Sequence, residues 1–301
     1  MLQSLLLSAL LVGGQLAAPS GDRQVLVFHK QNGFVHESTA FAVSTLSSYM
    51  EKHGLRAETS EDGRVFTTGN LGRYSAVVFL NTNYRNGPLL TSEQEAAFEG
   101  YIHQGGGFVG IHGAVPLNGE WEETQWPWYA RLFGGRFQNH GPYRLADLVI
   151  ETDLHPSTAT LPKLFSLGDE WYEARETPSI RVLTRIHENG PGLPGLPSPE
   201  GQPMSWCQEF EGGRSWVTLV GHDESAFRDP HYLAHVLGGI LWSTGWNSLS
   251  LPVETPSPRG QPAWRLTRRI LPDGEFSMAF TNGLQIRTPV GRLKPAGVAT
   301  P

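Results

Sequence analysis

Cysteine is almost absent: one residue, Cys207, stands in a chain of 301. That excludes an internal disulfide and a cysteine-built zinc site. Cys207 lies in the aromatic run Trp206-Cys207-Gln208-Glu209-Phe210, with no base adjoining it in sequence, and reads as a buried, inert thiol rather than a nucleophile. Charge is scarce as well. Charged residues make up 17% of the chain, and 29 acidic against 23 basic residues give a net charge of −6. A basic face for phosphate contacts is therefore lacking, which argues against a nucleic-acid partner. No run approaches the roughly 20 apolar residues of a membrane span, so none is expected in the mature chain. No Asn-x-Ser/Thr acceptor occurs.

What is abundant points the other way, toward a packed enzyme-sized domain. Hydrophobic residues reach 39%, including 14 Phe, 9 Trp and 8 Tyr. Such a composition excludes a disordered chain, a coiled coil and a collagen-like repeat. With 35 Gly and 22 Pro, tight turns and ordered loops are expected. Leu5 to Val12 is nearly all apolar and Gly13 to Ser20 supplies small residues. This predicts an export signal over residues 1–20 and a secreted mature protein, although no Lys or Arg precedes the run and Pro19 follows Ala18.

Gln24 to His29 reads as a fully buried strand, followed by a helix capped by Ser38 and running to about His53. Leu55 to Thr59, Ser75 to Leu80 and Phe108 to Ile111 are further strands, and Thr91 to Gln94 has capping-box spacing for a helix to about Gln104. Apolar strands alternating with helices predict a parallel sheet covered on both faces. From Tyr143 to Val220 strands dominate (Leu145–Glu151, Lys163–Trp171, Arg181–His187, Met204–Phe210, Ser215–Val220) and predict an antiparallel extension. Asn189 to Pro203 reads as a surface insertion, and Pro230 to about Trp242 as the last helix of a domain over residues 21–247. Residues 248–301 read as a Pro-rich linker and C-terminal extension with a hairpin between Trp264 and Gly291.

Ligands in open α/β sheets bind at the carboxyl ends of the strands. His36 follows the first strand, His112 ends the fourth, and His222 follows the last core strand, so three imidazoles are placed to converge. His112, in Gly110-Ile111-His112-Gly113-Ala114, sits where α/β enzymes present a nucleophile. There it would serve as a neutral base, an oxyanion donor, a metal ligand, or a side chain bonded into the turn. Glu224, two residues after His222, would orient that ring. Asp169-Glu170-Trp171-Tyr172 sets carboxylates beside aromatic rings, as needed to hold sugar hydroxyls and stack on a sugar face, or as found on an alternating strand edge. Trp121, Trp126, Trp128 and Tyr129 either wall the cleft, with Trp128 as the substrate contact, or pack in the core. His140 and His155 are second-rank site candidates; His53, His103, His187 and His231 read as ordinary surface or helix residues.

Gly33-Phe34-Val35-His36, Gly106-Gly107-Phe108-Val109-Gly110-Ile111-His112, Asp169-Glu170-Trp171-Tyr172 and the run from Trp206 to His222 together resemble the ThuA-like (trehalose utilisation) family over about residues 24–246. The resemblance implies an α/β three-layer sandwich, a mostly parallel central sheet with an antiparallel extension, similar to class I glutamine amidotransferases and flavodoxin-like. It also implies a link to trehalose and 3-keto sugars. Amidotransferases of that fold carry Cys at the elbow with a distant His-x-Glu. Here His112 takes the place of the Cys, and imidazole cannot form the thioester that glutaminase chemistry needs.

Three functions follow as expectations. The first is an enzyme on a carbohydrate or oxidised sugar, with His112 and His222 moving protons, Glu224 orienting His222, and His36, Asp169, Glu170, Trp128 and Tyr172 holding a small-molecule or oligosaccharide ligand; it requires no cofactor. The second places a divalent metal on His36, His112 and His222 with an open position for water. The third is a secreted glycan-binding module without turnover.

Overall fold

A computed structural model describes residues 23–117, 126–177, 179–186 and 201–245, with three short strands between Thr267 and Thr288. The expected leader, Trp121, His187, the insertion up to residue 200 and the Pro-rich stretch 251–262 lie outside the described residues. The chain divides into two compact units, Met1–Leu251 and Pro252–Pro301.

In the larger unit the chain runs β1 (Arg23–Phe28), α1 (Thr39–Lys52), β2 (Leu55–Ser60), α2 (Thr68–Leu71), β3 (Ala76–Leu80), α3 (Ser92–His103) and β4 (Gly107–Ile111). It continues with α4 (Pro127–Phe133), β5 (Gly135–His140), β6 (Arg144–Ile150), β7 (Leu164–Asp169), β8 (Tyr172–Glu176) and β9 (Arg181–Ile186). The unit closes with β10 (Gln202–Phe210), β11 (Gly213–Thr218), α5 (Glu224–Arg228) and α6 (Pro230–Ser243). The smaller unit is an antiparallel sheet of β12 (Thr267–Ile270), β13 (Phe276–Ala279) and β14 (Gln285–Thr288).

Nine strands form one sheet in the order β2-β1-β3-β4-β11-β10-β9-β6-β7. The first five are parallel and the last four pair antiparallel, the expected extension. Val25 to Phe28 and Ala76 to Leu80 are buried throughout, as strands covered on both faces require. Each such Val, Leu or Phe contributes roughly 1.5–3 kcal/mol of transfer free energy, set against the entropy of ordering it. The crossover from β1 to β2 and that from β3 to β4 leave in opposite directions, so right-handed connections put α1 and α3 on opposite faces. On one face Phe98 of α3 stacks on Phe79 with ring centroids 5.3 Å apart. On the other, α6 lies on β4 and β11, and its Gly239 backbone presses on the Trp216 ring where a Cβ would not fit.

Three local expectations are corrected. Thr91 and Gln94 do form the capping box of α3, but Ser38 makes no side-chain cap to α1. Its hydroxyl donates instead to the His222 carbonyl at 2.7 Å, tying the start of α1 to the loop after β11. The strand expected over Lys163–Trp171 is β7 and ends two residues early, and it is followed by an unforeseen strand, β8, which leaves the main sheet to pair with β5. Gln202 and Pro203, expected in the insertion, begin β10. Among the described residues no helix is long and apolar enough to cross a membrane.

Candidate functional site

Between β1 and β3 the crossover direction reverses, and such a switch point opens a crevice at the carboxyl ends of the strands. Four chain segments leave the sheet beside it. They carry His36 after β1, Asn81 and Asn83 after β3, His112 after β4, and His222 after β11.

His112 follows Ile111 directly and opens a short 3-10 turn, His112–Ala114, with φ +47. A non-glycine residue in that region is held there by its surroundings. Its Nδ1 lies 2.8 Å from the Leu219 carbonyl, and Gly113 N donates to Asn81 Oδ1 at 3.2 Å. Asn81 is itself left-handed, with φ +54, and its Nδ2 donates to Thr39 Oγ1 at 3.0 Å. Gly113 is required by proximity, since a Cβ there would stand 2.7 Å from His36 Cε1.

The three imidazoles meet. Ring centroids are 4.9 Å apart for His36 and His112, 5.5 Å for His36 and His222, and 5.3 Å for His112 and His222. Complete burial holds His112 well below the ordinary imidazole range, helped by the neighbouring His36. A carbonyl only accepts, so His112 Nδ1 is the donor and Nε2 carries the lone pair. That Nε2 is buried without a hydrogen-bond partner. Burial also pulls His36 down to about 4, with His222 adding to the effect. His36 Nε2 stands 3.4 Å from Tyr172 Oη, while its buried Nδ1 has no partner. His222 is half-buried at the rim, with Nδ1 3.1 Å from Glu170 Oε2 but off the hydrogen-bond direction.

His36 edges a cavity of about 210 Å³ lined also by Phe34, Asn83, Arg85, Phe137, His140 and Tyr172, while His112 is fully buried against His36 and His222 lines an adjoining cavity that shares Phe34 and His36. Tyr172 lays its ring 4.1 Å from that of His112. Glu170 stands between His222 and His140, the latter 3.6 Å away. One wall is thus aromatic, and the rest offers amide, hydroxyl, guanidinium and carboxylate groups.

Of the residues expected at the site, His36, His112, His222, Glu170, Tyr172 and the second-rank His140 are gathered here. Glu224 is not the partner of His222. It opens α5, and its carboxylate takes Arg228 one turn on, at 2.6 Å. Asp169 is not available to sugar hydroxyls: fully buried, it accepts the backbone N–H of Gly221 at 2.8 Å and of His222 at 3.2 Å. Burial pushes it up to about 8 against the pull of those donors. Trp128 is a core residue, its indole N–H donating to Glu211 at 2.7 Å and its ring set against Phe98 and Phe210. His155 bonds Ser157 and lies near Trp242, apart from the cluster. Cys207 is buried and its thiol is pushed up to about 11, as expected of an inert thiol.

Sequence reading missed Asn81, Asn83, Phe34, Arg85 and Phe137. Leu80-Asn81-Thr82-Asn83 carries the signal that singled out the histidines, polar residues at the end of a buried strand, and the same rule applies to it.

A ThuA-like protein of Bacteroides uniformis shares the fold with a TM-score of 0.61 at 22% identity, covering 75% of this chain and 93% of its own. One of Parabacteroides merdae gives 0.61 at 18%, covering 81% and 95%. A β-galactosidase of Bacillus circulans sp. alkalophilus gives 0.52 at 14%, covering 87% of this chain and 35% of its own. Identities this low establish shared architecture alone. No curated protein matches the sequence. The family described as ThuA, trehalose utilisation, matches residues 24–243, and the chain belongs to it.

Proposed function

We propose that this ThuA-family protein is an enzyme acting on a carbohydrate or an oxidised sugar bound over the three histidines. One observation carries the proposal: two packed, buried neutral imidazoles, His36 and His112, each have an unpartnered ring nitrogen, and His36 lines a cavity that also holds a carboxylate between two further histidines. A buried polar atom left without a partner costs about 1–3 kcal/mol. Such atoms are kept where a ligand completes the bond. Phe34 and Phe137 offer flat apolar surface for the C–H face of a sugar ring, and Asn83 and Tyr172 offer groups for hydroxyls. Glu170, set between His140 and His222, is the group placed to accept a proton from the ligand and pass it along the pair. The family's description as trehalose utilisation agrees with a sugar ligand. We include export on the strength of the apolar run Leu5 to Val12.

The full chain, incubated with mono- and disaccharides and their keto derivatives, should release a product visible by NMR. Glu170→Gln and His112→Ala should each lower the rate by about 10²–10⁴-fold with the fold retained. Sugar binding without product would make the protein a glycan-binding module instead, and unimpaired variants would remove the histidine-centred site.

A further inference from the structure

We propose that His36, His112 and His222 bind one divalent cation of the zinc class, with an open coordination position facing the cavity. The sugar reading is not needed for this; a binding module would hold the cation equally well.

One ring nitrogen from each of the three residues lies within 4.8 Å of the others. The rings stand at 86°, 78° and 71° to one another, splayed as around a common point rather than stacked. Ligation at about 2.0–2.1 Å in a tetrahedral site sets donor nitrogens about 3.4 Å apart. The widest pair would have to close by at most about 1.4 Å to reach that spacing.

Two of the rings reach an outer neighbour with the nitrogen opposite their unpartnered one, the Leu219 carbonyl for His112 and Tyr172 Oη for His36, and the Glu170 carboxylate stands 3.1 Å from His222 Nδ1. Metal-ligating histidines show this arrangement, in which an outer acceptor fixes ring orientation and tautomer. The competing explanation is a hydrogen-bonded histidine cluster. It fails at His112, whose lone pair at Nε2 needs a donor and finds none, since no hydrogen bond joins the three rings.

Three neutral nitrogens do not suit magnesium or calcium, which take oxygen ligands. Imidazole suits zinc and its first-row neighbours, and three protein ligands leave room for a water or a ligand oxygen. His222 at the rim provides the entry route. The cation would polarise a ligand oxygen or acidify a bound water beside Glu170.

The test reads metal content, with no sugar present. The full chain, made with a tag free of histidine and grown with zinc, manganese, iron and cobalt, should carry about one equivalent of a first-row metal by elemental analysis. Apo protein titrated with Co²⁺ should develop visible absorption saturating at the same stoichiometry. His36→Ala, His112→Ala and His222→Ala should each lose stoichiometric metal, Tyr172→Phe should weaken it by about 10–100-fold, and Glu224→Gln should keep it. Should the buried His112 variant fail to fold, the rim variant His222→Ala carries the comparison. Substoichiometric amounts of every first-row metal with a featureless Co²⁺ titration would overturn the proposal, as would full metal content in His36→Ala and His222→Ala.

Discussion

Asp169 holds His222 by its backbone: Oδ1 accepts the His222 N–H at 3.2 Å, and Oδ2 accepts that of the preceding Gly221 at 2.8 Å. The end of β7 is thereby fastened to the loop after β11, although the two strands lie far apart in the sheet order. A residue that looks like a sugar ligand in sequence is a clamp in three dimensions. Asp169→Asn keeps the size but turns an N–H donor toward another donor. A loss of about 1–3 kcal/mol in urea denaturation is expected. Metal and ligand affinity should fall with it, and an unchanged site would separate the clamp from the function.

Gly113 gives a sharper separation of site from stability. An added methyl at this position meets His36 Cε1 at 2.7 Å and the Asn81 backbone at 3.2 Å. Gly113→Ala should displace the His36 ring and lower turnover and Co²⁺ binding by at least 10-fold, with a melting temperature only a few degrees lower. Equal Co²⁺ affinity in the variant would contradict the proximity on which the site depends.

Acid should unfold the protein partly through a second, structural pair of histidines. His235 is fully buried, bonded to the Ser157 carbonyl at 2.8 Å and to Ser205 Oγ at 2.9 Å. Burial pulls His235 down to about 4, and pulls His155 down to about 3 with help from His235 and Arg181. In the unfolded chain both titrate near 6.5, so between that pH and their folded values the unfolded state holds more protons. Their contribution is therefore complete above about pH 6.5 and is lost as pH falls toward 4. The slope approaches about 1.4 kcal/mol per pH unit for each ring. Urea midpoints from pH 7 to 4.5 should show the decline, and His155→Asn should flatten it; a variant with the wild-type slope would contradict this origin.

Trp128 tests the distinction between core and cleft. Trp128→Phe keeps most of the buried ring but drops the bond to Glu211. A cost of about 1 kcal/mol in denaturation, with turnover and metal content unchanged, is expected. A selective loss of ligand affinity would return this residue to the site.

The sequence showed the frame and the three imidazoles because both are local signals. Runs such as Val25 to Phe28 and Ala76 to Leu80 are apolar at every position, and each histidine follows such a run. The partners of those histidines come from elsewhere. His222-x-Glu224 suggested a pair two residues apart, yet α5 begins at Glu224 and sends its side chain along the helix to Arg228. The carboxylate beside His222 is Glu170, from the β7–β8 link, and nothing in local spacing could announce it. The β5–β8 pair was equally hidden, because its strands are separated by more than thirty residues and neither is a continuous apolar run. Trp128 and Asp169 failed for another reason. A tryptophan or a buried acid looks the same in sequence whether it faces a ligand or a backbone, and only its hydrogen-bond partner tells which.

The most direct test of a shared histidine centre is imidazole ¹H–¹⁵N NMR on the full chain labelled at histidine, titrated with the sugar that is turned over. Resonances of His36, His112 and His222 should move together with the binding curve, while those of His155 and His235 stay fixed. A substrate that saturates the protein and leaves the first three unmoved would contradict the account.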